Sequence, residues 1–492
     1  MPAPASGYDG AVSDEPPAPA ESARRASHDL SPPRALLDFL RTGWDARPAP
    51  APPPMPSAAD HAARRARLSA RFPGLLLLIP SGVERVRAND SIFRFRPGTD
   101  FVHLVGEGEP REVLAMVPRS EGGHDAVLHT EPEVDHDRPE FFTDRARGAF
   151  WVGPPRGLVA SRARLGLEAR PLAELPGLMR AHDRAAVLRG LDPEVDAMAA
   201  DLAGPDAELG SALSDLRLVK DAGEVAELQG ACDLTALAFA DVVRALPTAR
   251  TERDVEVTFF ARARREGNDT GYLTIAAAGA HATVLHWSRN DGAVRPQDLL
   301  LLDAGVETRR FYTADVTRTL PVSGRFTTAQ REVYLLVWEA QQAALAAVRP
   351  GAGFREPHQR AMEVLARGLE RMGILPEPAQ TALQEDRQLY KRYTLHSVSH
   401  WLGLDVHDCA RARETAWTTE PLVPGMVLTV EPGLYLQADD LTVPERYRGI
   451  GVRLEDDVLV TDDGHLVLSA ALPTHPDAVE AWMAELWARP GD

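Results

Sequence analysis

The sequence predicts a mixed α/β protein: a Pro/Ala-rich tail, a smaller α/β domain and a larger α/β domain. Three observations carry this. The 492 residues exceed what one ordinary domain needs. Composition changes near residue 56 and texture changes again near residue 220. Beyond that point, long amphipathic helices alternate with apolar strands that end in acids.

Residues 1–56 are rich in Pro, Ala and Ser, and such a segment buries too little apolar surface to offset its ordering entropy. It is expected to be largely disordered. Within it, Arg34–Trp44 places Leu36, Leu37, Phe39 and Leu40 at helical spacing. Residues 57–215 read as the smaller domain. An Ala/Arg helix leads to a strand at Leu75–Ile79, with further strands at Val113–Val117 and Ala126–Leu128 and a helix near Pro171–Ala181. No catalytic constellation appears there. Residues 216–480 form the larger domain. Asp221 and Glu224 mark its first helix start, and Val225, Leu228, Cys232, Ala236 and Phe239 share one face of that helix. A second long helix, Ala329–Val348, opens a stretch with the same grammar, which predicts two related halves.

Composition narrows the function. Hydrophobic residues make up 44% and charged residues 26%, as in a globular protein. The charge, 54 − 72 = −18, and the lack of a Lys/Arg cluster argue against a nucleic-acid partner. No apolar run approaches the ~18 residues of a membrane span, and no signal core opens the chain. Cys232 and Cys409 build neither a disulfide framework nor a zinc knuckle. A cytoplasmic protein without membrane partners is the expectation.

The chemistry concentrates in four acids. Asp298–Asp303 is an apolar strand ending in a carboxylate, and Asp315 follows twelve residues later in a β-branched stretch. Met426–Val430 leads to Glu431, which Pro432 biases toward extended backbone. Arg453 and Glu455, two residues apart, share a strand face. One acid at a strand end is usually a turn former or cap. Four near apolar strands are costly unless something neutralises them, and Arg453 alone does not. Divalent cations would. His396, His400 and His407 lie in one Ser- and Gly-containing stretch that favours strand or loop, and His286 follows Val284-Leu285. There is no Glu after His396, so this is not the helical HExxH zinc pair. One nitrogen among oxygen donors suits manganese or cobalt better than a structural zinc.

These residues resemble the metallopeptidases of the pita-bread (creatinase/aminopeptidase-like) fold, whose ligands arrive in the order Asp, Asp, His, Glu, Glu. The resemblance covers about residues 216–470. Within it, Val284–Trp287, His396–His407, Val430–Tyr435 and Tyr447–Gly451 look like the Xaa-Pro aminopeptidase (aminopeptidase P) family. Phe95–Phe101, in the Arg-rich segment from Arg87, looks like that family's first domain. The resemblance implies two divalent ions, manganese first, with cobalt or zinc as alternatives. Asp303 would hold one ion, His400 and Glu431 the other, and Asp315 and Glu455 would bridge. Arg453 would orient an acid ligand, His286, His396 and His407 would surround the substrate, and Tyr272 would line the pocket.

The expected activity is hydrolysis of peptides with proline second, releasing the N-terminal residue. A hydroxide bridging ions about 3.5–4 Å apart would attack the scissile carbonyl, with Glu431 shuttling a proton and His407 donating to the oxyanion. The alternatives are an Xaa-Pro dipeptidase (prolidase) and an inactive binding module. The family implies a dimer or tetramer. Two departures stand out. The Asp303–Asp315 spacing is one residue longer than usual in the family, which places an extra residue near Glu307–Phe311. Val102 stands where some relatives carry a tryptophan donated to a neighbouring subunit.

Overall fold

The computed structural model describes residues 32–45, 50–89, 91–145 and 147–489. Most of the expected disordered tail lies outside them. The chain divides into two compact units. One comprises Met1–Pro50, Glu84–Phe95 and Glu133–Pro155, and the other Ala51–Val83, Arg96–Pro132 and Arg156–Asp492.

In the first unit the helical spacing near residue 34 does give a helix, Arg34–Leu40, but it buries none of its residues. Just beyond it, Trp44 stacks on His136 with ring centroids 4.1 Å apart. The Arg-rich segment forms a short exposed hairpin, Val86–Ala88 with Ser91–Ile92.

The second unit begins with a five-stranded mixed sheet. Its spatial order is Glu168–Pro171, His124–Thr130, Val113–Pro118, Leu76–Pro80, Ala185–Val187. Alternation divides its core: Leu77 and Ile79 face one apolar cluster, Leu76 and Leu78 another. The helix Thr99–Val105 packs nearby, and its Val102 is 2% exposed inside the larger core cluster. That position therefore serves this chain's own interior.

Beyond residue 220 two helix pairs alternate with small antiparallel sheets. Ala222–Ala245 starts at a capping box in which Glu224 N–H donates to Asp221 Oδ1 (3.0 Å) and Asp221 N–H donates to Glu224 Oε2 (3.0 Å). Leu228, Cys232 and Phe239 of its predicted face are buried. Val225 and Ala236 are only half-buried. The stripe is rotated because Thr235 turns inward to accept the Val306 N–H at 2.9 Å. Glu252–Glu266 completes the first pair. Thr328–Ala347, near the predicted span, and Glu356–Arg371 make the second. Between them lies the sheet Ile275–Ala278, Leu299–Asp303, Thr317–Pro321. After the second pair comes the sheet Val427–Val430, Asp456–Val460, His465–Val467. A separate hairpin joins Gly433–Leu436 to Ile450–Arg453. Among the described residues no helix is long and apolar enough to cross a membrane.

Candidate active site

Each acid singled out in the sequence sits at or just beyond a strand end, where backbone hydrogen bonds fix where it points. Leu299–Leu302 are all at most 3% exposed, so the strand is locked in the core and delivers Asp303 at its exit. There Asp303 lies between Thr317 and Ile275 of the flanking strands. Asp315 precedes the next strand, and its N–H donates to Asp457 Oδ2 at 3.0 Å. Glu431 leaves Val427–Val430 with its N–H on Val398 O (2.8 Å). Glu455 is held twice by Thr317: its N–H donates to Thr317 O (3.1 Å), and the Thr317 hydroxyl donates to Glu455 Oε2 (2.6 Å). His400 lies in irregular backbone, as its serine-rich context predicts. It exchanges bonds with Thr429, its own N–H on Thr429 Oγ1 (3.1 Å) and Thr429 N–H on its carbonyl (3.0 Å).

All ten residues singled out line one cleft of about 530 Å³: Tyr272, His286, Asp303, Asp315, His396, His400, His407, Glu431, Arg453 and Glu455. Leu273, Ile275, Leu285 and Val406 add apolar lining. One ligand atom each from Asp315, His400 and Glu455 falls within 4.8 Å of the others. His400 Nε2 lies 3.3 Å from Asp315 Oδ2 and 3.5 Å from Glu431 Oε1.

The electrostatics are those of crowded, desolvated acids. Burial and the charges of Asp315, Glu431 and Asp303 hold the Glu455 carboxyl well above its ordinary range. Burial also raises Asp303, against the pull of Arg453. Burial would raise Glu431 too, but His396 and His400 outweigh it and leave it low. Burial would lower His400, yet its hydrogen bond to Asp315 and the charge of Glu431 push it up to about 9. Four carboxylates and an imidazole thus converge with too little positive charge among them. That oxygen-rich donor set fits divalent cations.

Arg453 is bonded to one of these acids. Its Nη2 donates to Asp303 Oδ2 (2.5 Å), Nε to Thr317 Oγ1 (3.1 Å) and Nη1 to the Tyr435 hydroxyl oxygen (2.9 Å). The Tyr272 hydroxyl donates to the other oxygen of Asp303 at 2.7 Å. Tyr435, assigned no role from sequence, links Arg453 to His396, because its hydroxyl lies 2.7 Å from His396 Nε2. The hairpin also pairs Gly433 with Arg453, which sets Tyr435 diagonally beside the arginine. The His407 ring stands nearly perpendicular to His400, centroids 4.4 Å apart, and burial together with the charge of His400 lowers its pKa. Thr317, Thr429 and Asp457, which hold the acids and His400 from behind, had no sequence signal beyond lying in the same strands.

Comparison with known proteins finds relatives along most of the chain. Residues 226–462 match the model of metallopeptidase family M24, and residues 61–186 that of the aminopeptidase P N-terminal domain. Xaa-Pro aminopeptidase 2 of Streptomyces coelicolor is 51% identical over 91% of this chain and 96% of its own length. The Escherichia coli Xaa-Pro aminopeptidase is 32% identical over 85% of this chain and 96% of its own. The solved E. coli aminopeptidase P with the inhibitor Pro-Leu superposes with a TM-score of 0.79 at 30% identity, covering 88% of this chain and all (100%) of that one. The two-domain, pita-bread reading of the sequence is therefore correct. The chain belongs to the Xaa-Pro aminopeptidase (aminopeptidase P) family of the M24 metallopeptidases.

Proposed function

We propose that this metallo-aminopeptidase removes the N-terminal residue from peptides with proline second, and that the residues of the cleft divide the work as follows. Asp303 would hold one divalent ion, His400 and Glu431 the other, and Asp315 and Glu455 both. Bound there, two ions would lower the pKa of water and stabilise charge on the scissile carbonyl. Manganese suits the oxygen-rich set best, ahead of cobalt and zinc. Arg453 and Tyr272 orient Asp303 through its two oxygens.

Glu431 takes a proton from the attacking water and passes it to the leaving proline nitrogen. A carboxyl held low by His396 and His400 is ionised and ready to accept it. His407 donates to the carbonyl oxygen as it becomes an oxyanion. An Xaa-Pro bond has no amide N–H and a fixed φ, so recognition rests on a flat slot for the ring. Tyr272, His286 and His396 provide it.

The observation that carries the reading is the ten-residue cleft itself. The charge of its lining favours longer peptides over dipeptides. Among the described lining residues the one Lys or Arg is Arg453, already bonded to Asp303, Thr317 and Tyr435, so no free cation awaits a dipeptide's carboxylate. Residues 57–215 and 216–480 as domains, a dimer or tetramer, and a cytoplasmic location complete the proposal. The free, buried thiols of Cys232 and Cys409 fit a reducing compartment. The deciding experiment incubates protein loaded with Mn2+, Co2+ or Zn2+ with Gly-Pro and with a longer Gly-Pro-led peptide. Release of glycine from the longer peptide alone is expected. Cleavage of the dipeptide alone would make the protein a prolidase.

A further inference from the structure

The loop between His400 and His407 has no regular secondary structure, yet its shape decides where His407 points. Much of what holds it comes from just before and within the helix Thr99–Val105, far away in sequence. Arg96 Nη2 donates to Leu404 O at 2.5 Å, and the Thr99 hydroxyl donates to Asp405 Oδ1 at 2.5 Å. Arg217 joins Asp100 of that helix to Asp408, with Nε 2.9 Å from Asp408 Oδ1. The same Arg96 also grips the turn that leads into Asp315. Its Nε donates to Glu307 Oε2 (2.6 Å) and its Nη2 reaches Phe311 O (3.4 Å). This is the turn expected to hold an extra residue, and Phe311 sits there at φ +68°, a left-handed conformation rare for a bulky side chain. The two grips meet, since Thr313 N–H donates to Gly403 O at 3.1 Å.

We infer that Arg96, assisted by Thr99, is a positioning residue for catalysis: one guanidinium fixes both the turn that delivers Asp315 and the loop that delivers His400 and His407. The inference rests on the roles proposed above for those three residues. A planar fork of five N–H donors reaches a carboxylate and two carbonyls at once. An ammonium at the same place keeps the charge beside Glu307 but cannot reproduce that fork. Arg96→Lys therefore separates positioning from mere charge pairing. It also avoids stranding Glu307, 3% exposed, without a cation.

The test compares wild type, Arg96→Lys, Thr99→Val, His407→Ala and the Arg96→Lys/His407→Ala double variant. The readouts are urea unfolding, Mn2+ affinity by calorimetry, and kcat and KM on a Gly-Pro-led peptide. The expected result is a wild-type unfolding midpoint for Arg96→Lys and Thr99→Val, with kcat/KM about 10- to 100-fold lower, mostly in kcat. Arg96→Lys also weakens Mn2+ binding, and costs less when His407 is already gone. Activity within twofold of wild type in Arg96→Lys and Thr99→Val, or an equal loss with and without His407, overturns the inference. If wild type cleaves no Xaa-Pro peptide, the proposed function falls instead. The Mn2+ affinity of Arg96→Lys then decides the role of Arg96, and an unchanged affinity refutes it.

Discussion

Replacing Arg453 with Met removes a guanidinium that is 3% exposed and bonded to Asp303, Thr317 and Tyr435. Asp303, itself 7% exposed, loses its cation while Asp315, Glu431 and Glu455 stay in the same cleft. Breaking a buried pair from one side costs about 3–5 kcal/mol, because the remaining charge is desolvated and unpaired. Two of the three hydrogen-bond losses are softer. Thr317 keeps its bond to Glu455, and Tyr435 keeps His396. The metal-free chain should therefore lose about 3–5 kcal/mol in urea unfolding with chelator present, nearly all of it traceable to Asp303. Arg453→Lys keeps the charge but serves fewer acceptors, so it should fall between Met and wild type. An Arg453→Met protein within about 1 kcal/mol of wild type would refute the claim that this arginine offsets the buried charge of Asp303.

Two further outcomes follow from burial. His103 is 0% exposed and held well below its ordinary pKa by burial, while burial takes His61 and His358 to about 4. All three stay neutral in the folded chain but take up protons near pH 6.5 when unfolded. Stability is then full above about pH 6.5 and falls as pH drops toward 4, by up to ~3 kcal/mol for a histidine shifted this far. Urea midpoints measured from pH 7 to 4.5 should decline, less steeply in His61→Gln, and an identical slope in that variant would contradict the assignment. Burial also raises both thiols, Cys409 to about 12. A thiol reagent at pH 8 should label neither cysteine rapidly in the native protein and both in urea. Fast native labelling would show that one of them is not in the core.

How far the site was legible depends on the distance over which each residue acts. Asp303, Asp315, His400, Glu431 and Glu455 declared themselves because each breaks an apolar run or a strand-like stretch, and mutual repulsion made the group unreadable as ordinary turn formers. The strand Leu299–Asp303 needed no tertiary information, since four consecutive leucines between acids leave it no place but the core. Tyr435 was recoverable in principle from the hairpin register that sets it beside Arg453. Asp457 and Thr429 were not. They act through backbone N–H groups of Asp315 and His400, partners 142 and 29 residues away that only the folded chain brings together. Arg96 lies further out of reach: its partners Glu307 and Leu404 stand 211 and 308 residues away. The exposed helix Arg34–Leu40 shows the opposite limit, a local pattern that makes the helix but does not say what covers it.

The central claim is that Asp303, Asp315, His400, Glu431 and Glu455 together hold two divalent ions. Anomalous X-ray scattering from crystals grown with Mn2+ addresses it directly. Two peaks are expected in the cleft, one near Asp303, the other near His400 and Glu431, and both within reach of Asp315 and Glu455. In Asp315→Ala, which removes a shared ligand, at least one peak should vanish. A single peak in the wild type, or peaks lying away from these five residues, would contradict the account.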